Sequence, residues 1–479
     1  MSEKIDVLII GAGPAGVAAG IGARREGAEN VVVIERDWDL GGILQQCIHP
    51  GFGLRTFKEE LTGPEYMHRF IQQAHEAGVE FRTNTMVFQI DDSYPPVSLR
   101  ENHPPVSPLG RGDEELAGVL ASPAQGEVAE GRRGRNIAQG EVSESWRSRS
   151  GVTVWTMNKE RGIESLNPSA IVLTMGCRER PLGAIRIPGT RPAGIYTAGT
   201  AQRFVNMEGY MPGKRAVILG SGDIGLIMAR RMIWEGATVE GVYEVMSWPG
   251  GLRRNIAQCL DDYGIPFHLR TTVTRIHGND RLEGVTVAEV DEHMTPIAGT
   301  ERYVECDTLL LAIGLIPENE LSRMAGVEIH PVTGGPVVND LLQTSNPAIF
   351  AAGNVVIVYD LVDNVSDEGL IAGMNAAKFA AGKISPSARI PVKGGENVRL
   401  YSPQIVTGET DATIFMRVTH PIEEACRVFA VCDNGAELYS QRLRYARPGE
   451  MNEVRINAEK LRGAGKVSGI TIDIQAVKK

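Results

Sequence analysis

Two glycine-rich turns carry the most specific chemistry in this sequence. Gly11-Ala12-Gly13-Pro14-Ala15-Gly16 follows the apolar stretch Asp6 to Ile10 and opens a helical pattern; a second strand, Asn30 to Glu35, places Glu35 about 20 residues past the turn. Gly11 permits the tight turn, and Gly13 lets a pyrophosphate approach the bare backbone at the helix N-terminus. Gly16 lets helix and strand pack closely, and Glu35 can accept from ribose hydroxyls. The arrangement recurs at Gly220-Ser221-Gly222-Asp223-Ile224-Gly225, after Ala216 to Leu219, with Glu244 standing where Glu35 stands in the first copy. An acid there bonds a 2′-hydroxyl and repels a 2′-phosphate, so NADH is expected over NADPH, against the counter-signal of Arg253 and Arg254 nearby. The candidate dinucleotide-binding residues are therefore Gly11, Gly13, Pro14, Ala15, Gly16 and Glu35 in one copy, and Gly220, Gly222, Ile224, Gly225 and Glu244 in the other.

Such turns work only when parallel strands hold them. The first unit reads strand, turn, helix, strand, and the pattern repeats from Arg215 to Val245, which predicts two nucleotide-type domains, each with a parallel sheet covered by helices on both faces. The first is interrupted by the second and completed after Thr344. Residues 93–151 are of another kind: Pro95, Pro96, Pro104, Pro105, Pro108 and Pro123 sit among glycines and arginines, and Ala124 to Glu130 nearly repeats as Ala138 to Glu144. That composition cannot build a core, and it predicts a low-complexity insertion between a strand ending near Asp91 and one beginning near Val152, a solvated loop without catalytic role. From about residue 394 the period becomes two. Ala412, Ile414, Met416 and Val418 alternate with Thr413, Phe415, Arg417 and Thr419, and further runs at Arg427 to Asp433, Glu437 to Arg442, Glu453 to Asn457 and Gly469 to Ile474 predict a small C-terminal β domain of sandwich type.

Composition narrows the function classes. A chain of 479 residues has room for two to four domains, and a formal charge of −10 leaves no overall positive field to attract nucleic acid or acidic lipid. The cysteines Cys47, Cys177, Cys259, Cys306, Cys426 and Cys432 are scattered, with no C-x-x-C pair and no cluster at ligand spacing, so neither a disulfide framework nor a metal site is expected. Cys426 and Cys432 fall on one strand about 20 Å apart, too far to share a bond or a metal. The apolar run Ile5 to Gly20 is explained by its glycine spacing rather than as a signal peptide, and no other apolar stretch reaches 18 residues. No membrane span and a cytoplasmic location are expected.

Two further kinds of segment carry a resemblance. Ile171 to Gly176 and Thr308 to Gly314 look like the two A-T-G-type strand-to-turn segments of flavoproteins with two dinucleotide-binding domains, and Thr344-Ser345 through Ala351-Ala352-Gly353-Asn354 looks like their second FAD motif. With the fingerprints, residues 5–92 and 152–385 resemble the pyridine nucleotide–disulfide oxidoreductase superfamily. The resemblance implies an α/β fold of two Rossmann-like domains, the second inserted in the first. FAD would lie at the first fingerprint and NAD(H) at the second, with FAD-binding residues 1–205 and 326–390, NAD-binding residues 206–325 and the C-terminal β domain over 394–479. It adds Gly42, Thr174, Gly176, Gly314, Gly353 and Asn354 as cofactor-binding positions; Asn354 stands where the family usually has an Asp that bonds the flavin ribityl chain. A helix from Glu368 to Ala380 would point its positive end at the flavin and stabilise the anionic reduced ring.

Within the superfamily, Gly41 to Gly53, Gly353-Asn354-Val355 and Asp360 to Asp363 look most like the flavoprotein subunits of multi-subunit dehydrogenases of the glycerol-3-phosphate, opine and hydrogen cyanide-forming types. That implies hydride transfer between NADH and flavin, with electrons passing to or from a partner dehydrogenase subunit in a hetero-oligomer, or to a small-molecule donor or acceptor. Disulfide reductases of the superfamily carry two redox cysteines after the corresponding Gly-Gly, whereas Cys47 stands alone here, five residues after Gly42, so a C-x-x-x-x-C relay is impossible. Cys47, with His49 lowering its pKa or relaying a proton, is the catalytic candidate, weighed against a packed thiol and a loop-holding histidine. Asp360 and Asp363 could orient flavin or partner residues. Two alternatives stay open: a stand-alone NADH-dependent reductase of oxygen, peroxide or a disulfide through Cys47, and a non-catalytic FAD-binding scaffold protein.

Overall fold

The computed structural model describes residues 4–92, 151–384 and 389–477; apart from Gly151, the low-complexity stretch lies outside them. The apolar runs Val7–Ile10, Val31–Ile34 and Ala170–Leu173 are buried at every position, as strands covered on both faces must be. They pair in parallel, with Ile349–Ala351 added at one edge and Glu80–Arg82 at the other. The first sheet therefore takes its last strand from beyond residue 344.

A second parallel sheet is built from Ile195–Thr197, Thr308–Leu311, Arg215–Leu219, Thr238–Tyr243 and Phe267–His268, in that order. Each parallel sheet has a three-stranded antiparallel companion. Thr85–Asp92, Val152–Asn158 and Gly162–Leu166 accompany the first, and Thr271–Gly278, Leu282–Glu289 and Arg302–Glu305 the second. The undescribed stretch thus leaves and rejoins at paired strand ends, Asp92 opposite Val152.

The helices Pro14–Arg25 and Val362–Ala380 pack on the first sheet and on each other. They meet backbone to backbone: a Cβ added at Gly369 would stand 2.2 Å from the Ala15 carbonyl oxygen, and one at Gly373 1.9 Å from that of Ala19. The second of these helices begins at Val362, not at Glu368 as expected from the sequence. Its first turns hold polar residues that read as loop, and they are buried against a distant segment. Asp363 Oδ1 accepts from the Thr56 main-chain N–H at 2.9 Å, and Ser366 Oγ accepts from the Tyr66 hydroxyl at 2.8 Å.

Residues 390–476 form two more sheets around one apolar core that includes Ile414, Met416, Val428 and Ile472. Ala412–Val418, Cys426–Cys432, Glu437–Leu443, Asn452–Ile456 and Ile470–Ala476 each lie within two residues of the expected runs. Phe415 and Met451 leave this core and join that of the first sheet, where Phe415 meets Tyr359 edge-on with ring centroids 5.1 Å apart. Among the described residues no helix is long and apolar enough to cross a membrane, and no group of three or more potential metal ligands occurs.

Candidate functional site

One cavity of about 1070 Å³ is lined by residues of both fingerprints: Gly11, Gly13 and Glu35 from the first, and Gly222, Asp223 and Ile224 from the second. The turns are shaped as their glycines predict. Gly11 adopts φ +104°, and a Cβ at Gly16 would stand 1.8 Å from the Gly11 carbonyl oxygen, so the helix can start this close to the strand only with glycine there. A Cβ at Gly13, by contrast, would meet nothing within 4 Å, which leaves a bare peptide facing open cavity at the start of Pro14–Arg25. That is the cradle a pyrophosphate requires.

The two acids repeat one bond. Glu35 Oε2 accepts from the Ala12 N–H at 2.8 Å, and Glu244 Oε2 accepts from the Ser221 N–H at 2.9 Å, in each case the residue after the first glycine. They differ in whether they line the cavity. Glu35 lines the cavity, with its other oxygen accepting from the Asp37 N–H at 2.9 Å. Glu244, 7% exposed, is not among the wall residues; it also accepts from Ser221 Oγ at 2.6 Å and from the Met246 N–H at 2.9 Å. The two carboxylates are nearly equally buried and brace their turns alike, so Glu244 stands to a ribose 2′-hydroxyl as Glu35 does, with Arg254 on the cavity wall as the counter-signal.

Pro14, Ala15, Gly42, Thr174, Gly176, Gly314 and Asn354 also line the cavity. Gly16, Gly220, Gly225 and Gly353 do not; they hold the turns against neighbouring backbone and side chains. Asn354 Nδ2 donates to Cys177 Sγ at 3.5 Å while its Oδ1 accepts from the Tyr359 N–H at 3.0 Å. The helix Val362–Ala380 brings Val362, Asp363 and Val365 to the same wall.

Cys47 and His49 line the cavity too, but not as a pair that makes thiolate. Cys47 Sγ lies 3.3 Å from the Ile43 carbonyl oxygen, and burial pushes its pKa up to about 12. His49 Nδ1 lies 3.0 Å from the Pro50 carbonyl oxygen, and burial lowers its pKa. Among the described residues Cys47 and His49 have separate hydrogen-bond partners, so the geometry gives no direct contact through which His49 would lower the Cys47 pKa.

The family model for pyridine nucleotide-disulphide oxidoreductases matches residues 5–369. The chain belongs to that family. Its members are FAD- and NAD(P)-binding oxidoreductases, and this chain is an oxidoreductase among them. It is 26% identical over 380 residues to mitochondrial dihydrolipoyl dehydrogenase of Caenorhabditis elegans, covering 77% of this chain and 67% of that one. An opine oxidase subunit of Agrobacterium tumefaciens (strain Ach5) is 23% identical over 433 residues, covering 87% of this chain and 71% of the relative. Among solved structures, T. acidophilum thioredoxin reductase superposes with a TM-score of 0.56 at 20% identity, over 79% of this chain and 99% of that one, which shows the α/β fold.

As a member of the pyridine nucleotide-disulphide oxidoreductase family, the chain carries two wall features, and a buried carboxyl behind the wall, that motif reading missed. Cys177 follows the Thr174 to Gly176 turn, and burial pushes its thiol up to about 11. Glu368, beneath the Gly353 turn, accepts from the Gly353 N–H at 3.0 Å and from the Tyr359 hydroxyl. Arg417 and Gly449 reach the cavity from the C-terminal sheets. Only Cys177 had a local signal, its place directly after a recognised turn. Both cavity thiols should alkylate slowly. At pH 7, iodoacetamide is expected to label Cys177 about a hundredfold and Cys47 about a thousandfold more slowly than an unperturbed thiol, read by peptide mass spectrometry against the denatured chain; equal rates would contradict the burial argument.

Proposed function

We propose that this chain is an FAD-dependent oxidoreductase that moves electrons between NADH and flavin and passes them to or from a partner dehydrogenase subunit or a small acceptor. The observation that carries the reading is the shared cavity, in which both fingerprints open to one volume. Bound flavin supplies hydride exchange with a nicotinamide, for which the protein needs no acid or base of its own. Gly11, Gly13, Pro14 and Ala15 form the turn that would hold the FAD pyrophosphate at the start of Pro14–Arg25, with the N–H groups of Gly13 and Ala15 as donors and Pro14 fixing the first helical position; Glu35 would meet the ribose and Gly16 keeps helix and strand together. Gly42, Thr174, Gly176, Gly353 and Asn354 shape the flavin side, and Asn354 offers the ribityl chain an amide in place of a charge. Gly220, Gly222, Ile224, Gly225, Glu244 and Gly314 form the NAD side, in a unit over residues 206–325. Cys47, on the cavity wall, would serve there to exclude water. Support for a partner comes from the likeness to a relative whose name makes it one subunit of an opine oxidase.

The test is an anaerobic titration of the purified protein with NADH and separately NADPH, following the visible flavin band. Bleaching by NADH at much lower concentration than NADPH is expected. Equal potency would remove the specificity assigned to Glu244 and leave the cavity to Arg254. A flavin that neither nucleotide bleaches would replace the reading by a scaffold protein.

A further inference from the structure

Arg417 is a charge that the fingerprints do not explain. It stands on Ala412–Val418, the central strand of a three-stranded sheet, between Val398–Ser402 and Asn452–Ile456, where Met416 and Val418 on either side are buried. That strand fixes where its side chain emerges, and it emerges into the cavity shared by the two fingerprints. A guanidinium has five N–H donors. Nη1 donates to the Pro448 carbonyl at 3.0 Å and Nη2 to the Val358 carbonyl at 3.3 Å, both neutral acceptors. Burial pulls its pKa below the ordinary value, opposed by the fields of Asp360 and Asp223 and reinforced by that of Arg399. This half-buried cation rests on main-chain carbonyls and, although Asp360 and Asp223 act on it through their fields, no carboxylate makes an ion pair with it among the described residues.

Asp360 has the complementary deficit. It lines the same cavity, Oδ2 accepts from the Met451 N–H at 3.0 Å, and Oδ1 is buried with no hydrogen-bond partner. Both groups are set by one loop, since Arg417 bonds Pro448 and Asp360 bonds Met451. Val358, the other acceptor of Arg417, lies two residues before Asp360. The loop is itself wedged against the second fingerprint unit: a Cβ at Gly449 would stand 2.8 Å from the Gly250 carbonyl oxygen. An acceptor oxygen without a hydrogen bond and a guanidinium without an ion pair, on one wall and within each other's field, are completed by a molecule that presents an anion beside a hydrogen-bond donor.

We propose that Arg417 and Asp360 form a recognition site for a small α-hydroxy or α-amino carboxylate, the carboxylate taken by the guanidinium and the neighbouring hydroxyl or ammonium donating to Asp360 Oδ1. The inference rests on the function proposed above, for which it names the class of small donor or acceptor admitted to the cavity. Arginine suits the role better than lysine because its planar fork meets both carboxylate oxygens.

Isothermal titration calorimetry of the full-length, flavin-loaded protein with acetate, glycolate and glycine tests it. Glycolate or glycine is expected to bind more tightly than acetate. Arg417→Gln should weaken that binding about tenfold or more, and Asp360→Asn should bring the tighter probe down towards acetate. If Arg417→Gln does not fold, Arg417→Lys decides: a severalfold loss is expected, and unchanged affinity overturns the proposal. No binding by any of the three probes overturns it as well. So does a shift in the flavin midpoint potential in Arg417→Gln with carboxylate affinity intact, because the guanidinium would then serve the flavin ring itself. Failure of NADH to bleach the flavin would remove the proposed function while leaving these isotherms to be read, whereas normal bleaching without carboxylate binding would remove only this inference.

Discussion

Gly373→Val is expected to destabilise the protein by about 3 kcal/mol or more and to strip it of flavin, because the contact it breaks cannot be repacked by side chains. The Cβ of any residue at 373 would stand 1.9 Å from the Ala19 carbonyl oxygen, and the same face repeats one turn earlier, where Gly369 meets Ala15. These positions press on Pro14–Arg25, the helix whose first residues form the pyrophosphate cradle, so a shift of either helix moves the turn at Gly13. Thermal melting and the ratio of flavin to protein absorbance read both effects. Gly183→Ala serves as the control, since a Cβ there meets nothing within 4 Å. Equal melting temperatures for the two variants would mean that the helix pair yields more easily than backbone contact allows.

Glu368→Gln is expected to abolish a pH dependence of stability. Burial pushes the Glu368 carboxyl up from 4.5 to about 7, even though the Tyr359 hydroxyl and the Gly353 N–H both donate to it. The Tyr359 phenol is pushed well above its usual 10 and stays protonated. In the folded protein Glu368 therefore keeps a proton that the unfolded chain releases near the ordinary glutamate value. Between about pH 4.5 and 7 the folded state binds more protons, so the stability present at low pH is lost as pH rises through that window, by about 3 kcal/mol. Glutamine keeps the acceptor for Gly353 and has no proton to lose. Urea midpoints at pH 5 and pH 8 should diverge for the native protein more than for the variant, with the variant the more stable at pH 8; parallel changes in the two proteins would refute the assignment.

The extent to which the sequence was readable follows from where the partners lie. Val7–Ile10 and Val31–Ile34 agree within one residue with the strands expected from their apolar runs, because a strand buried on both faces writes its burial locally. The alternation at Ala412–Val418 was legible for the same reason. The start of Val362–Ala380 was not. Asp363, Asn364 and Ser366 read as loop, yet they are buried and bonded to Thr56, Arg55 and Tyr66, about 300 residues away in sequence. The fingerprint glycines announced the cavity, since each meets a need of the turn itself. Arg417 gave no such sign: in the sequence it is one outward position of an alternating strand, and only the docking of that sheet beside Asp360 brings it to the cavity wall.

The strand order of the two parallel sheets sets a timetable for the nascent chain. All five strands of the second sheet come from one continuous span, Ile195 to Leu311, so that sheet can close as soon as its last strand clears the ribosome. The first sheet cannot. Val7–Ile10 is among the first segments made, but its neighbour Ala170–Leu173 comes much later, and the edge strand Ile349–Ala351 later still. At ordinary elongation rates the opening strands wait on the order of tens of seconds for those partners. During that interval the exposed edge of Val7–Ile10 is the part of the chain with most need of a chaperone, and the order of maturation is the reverse of the order of synthesis.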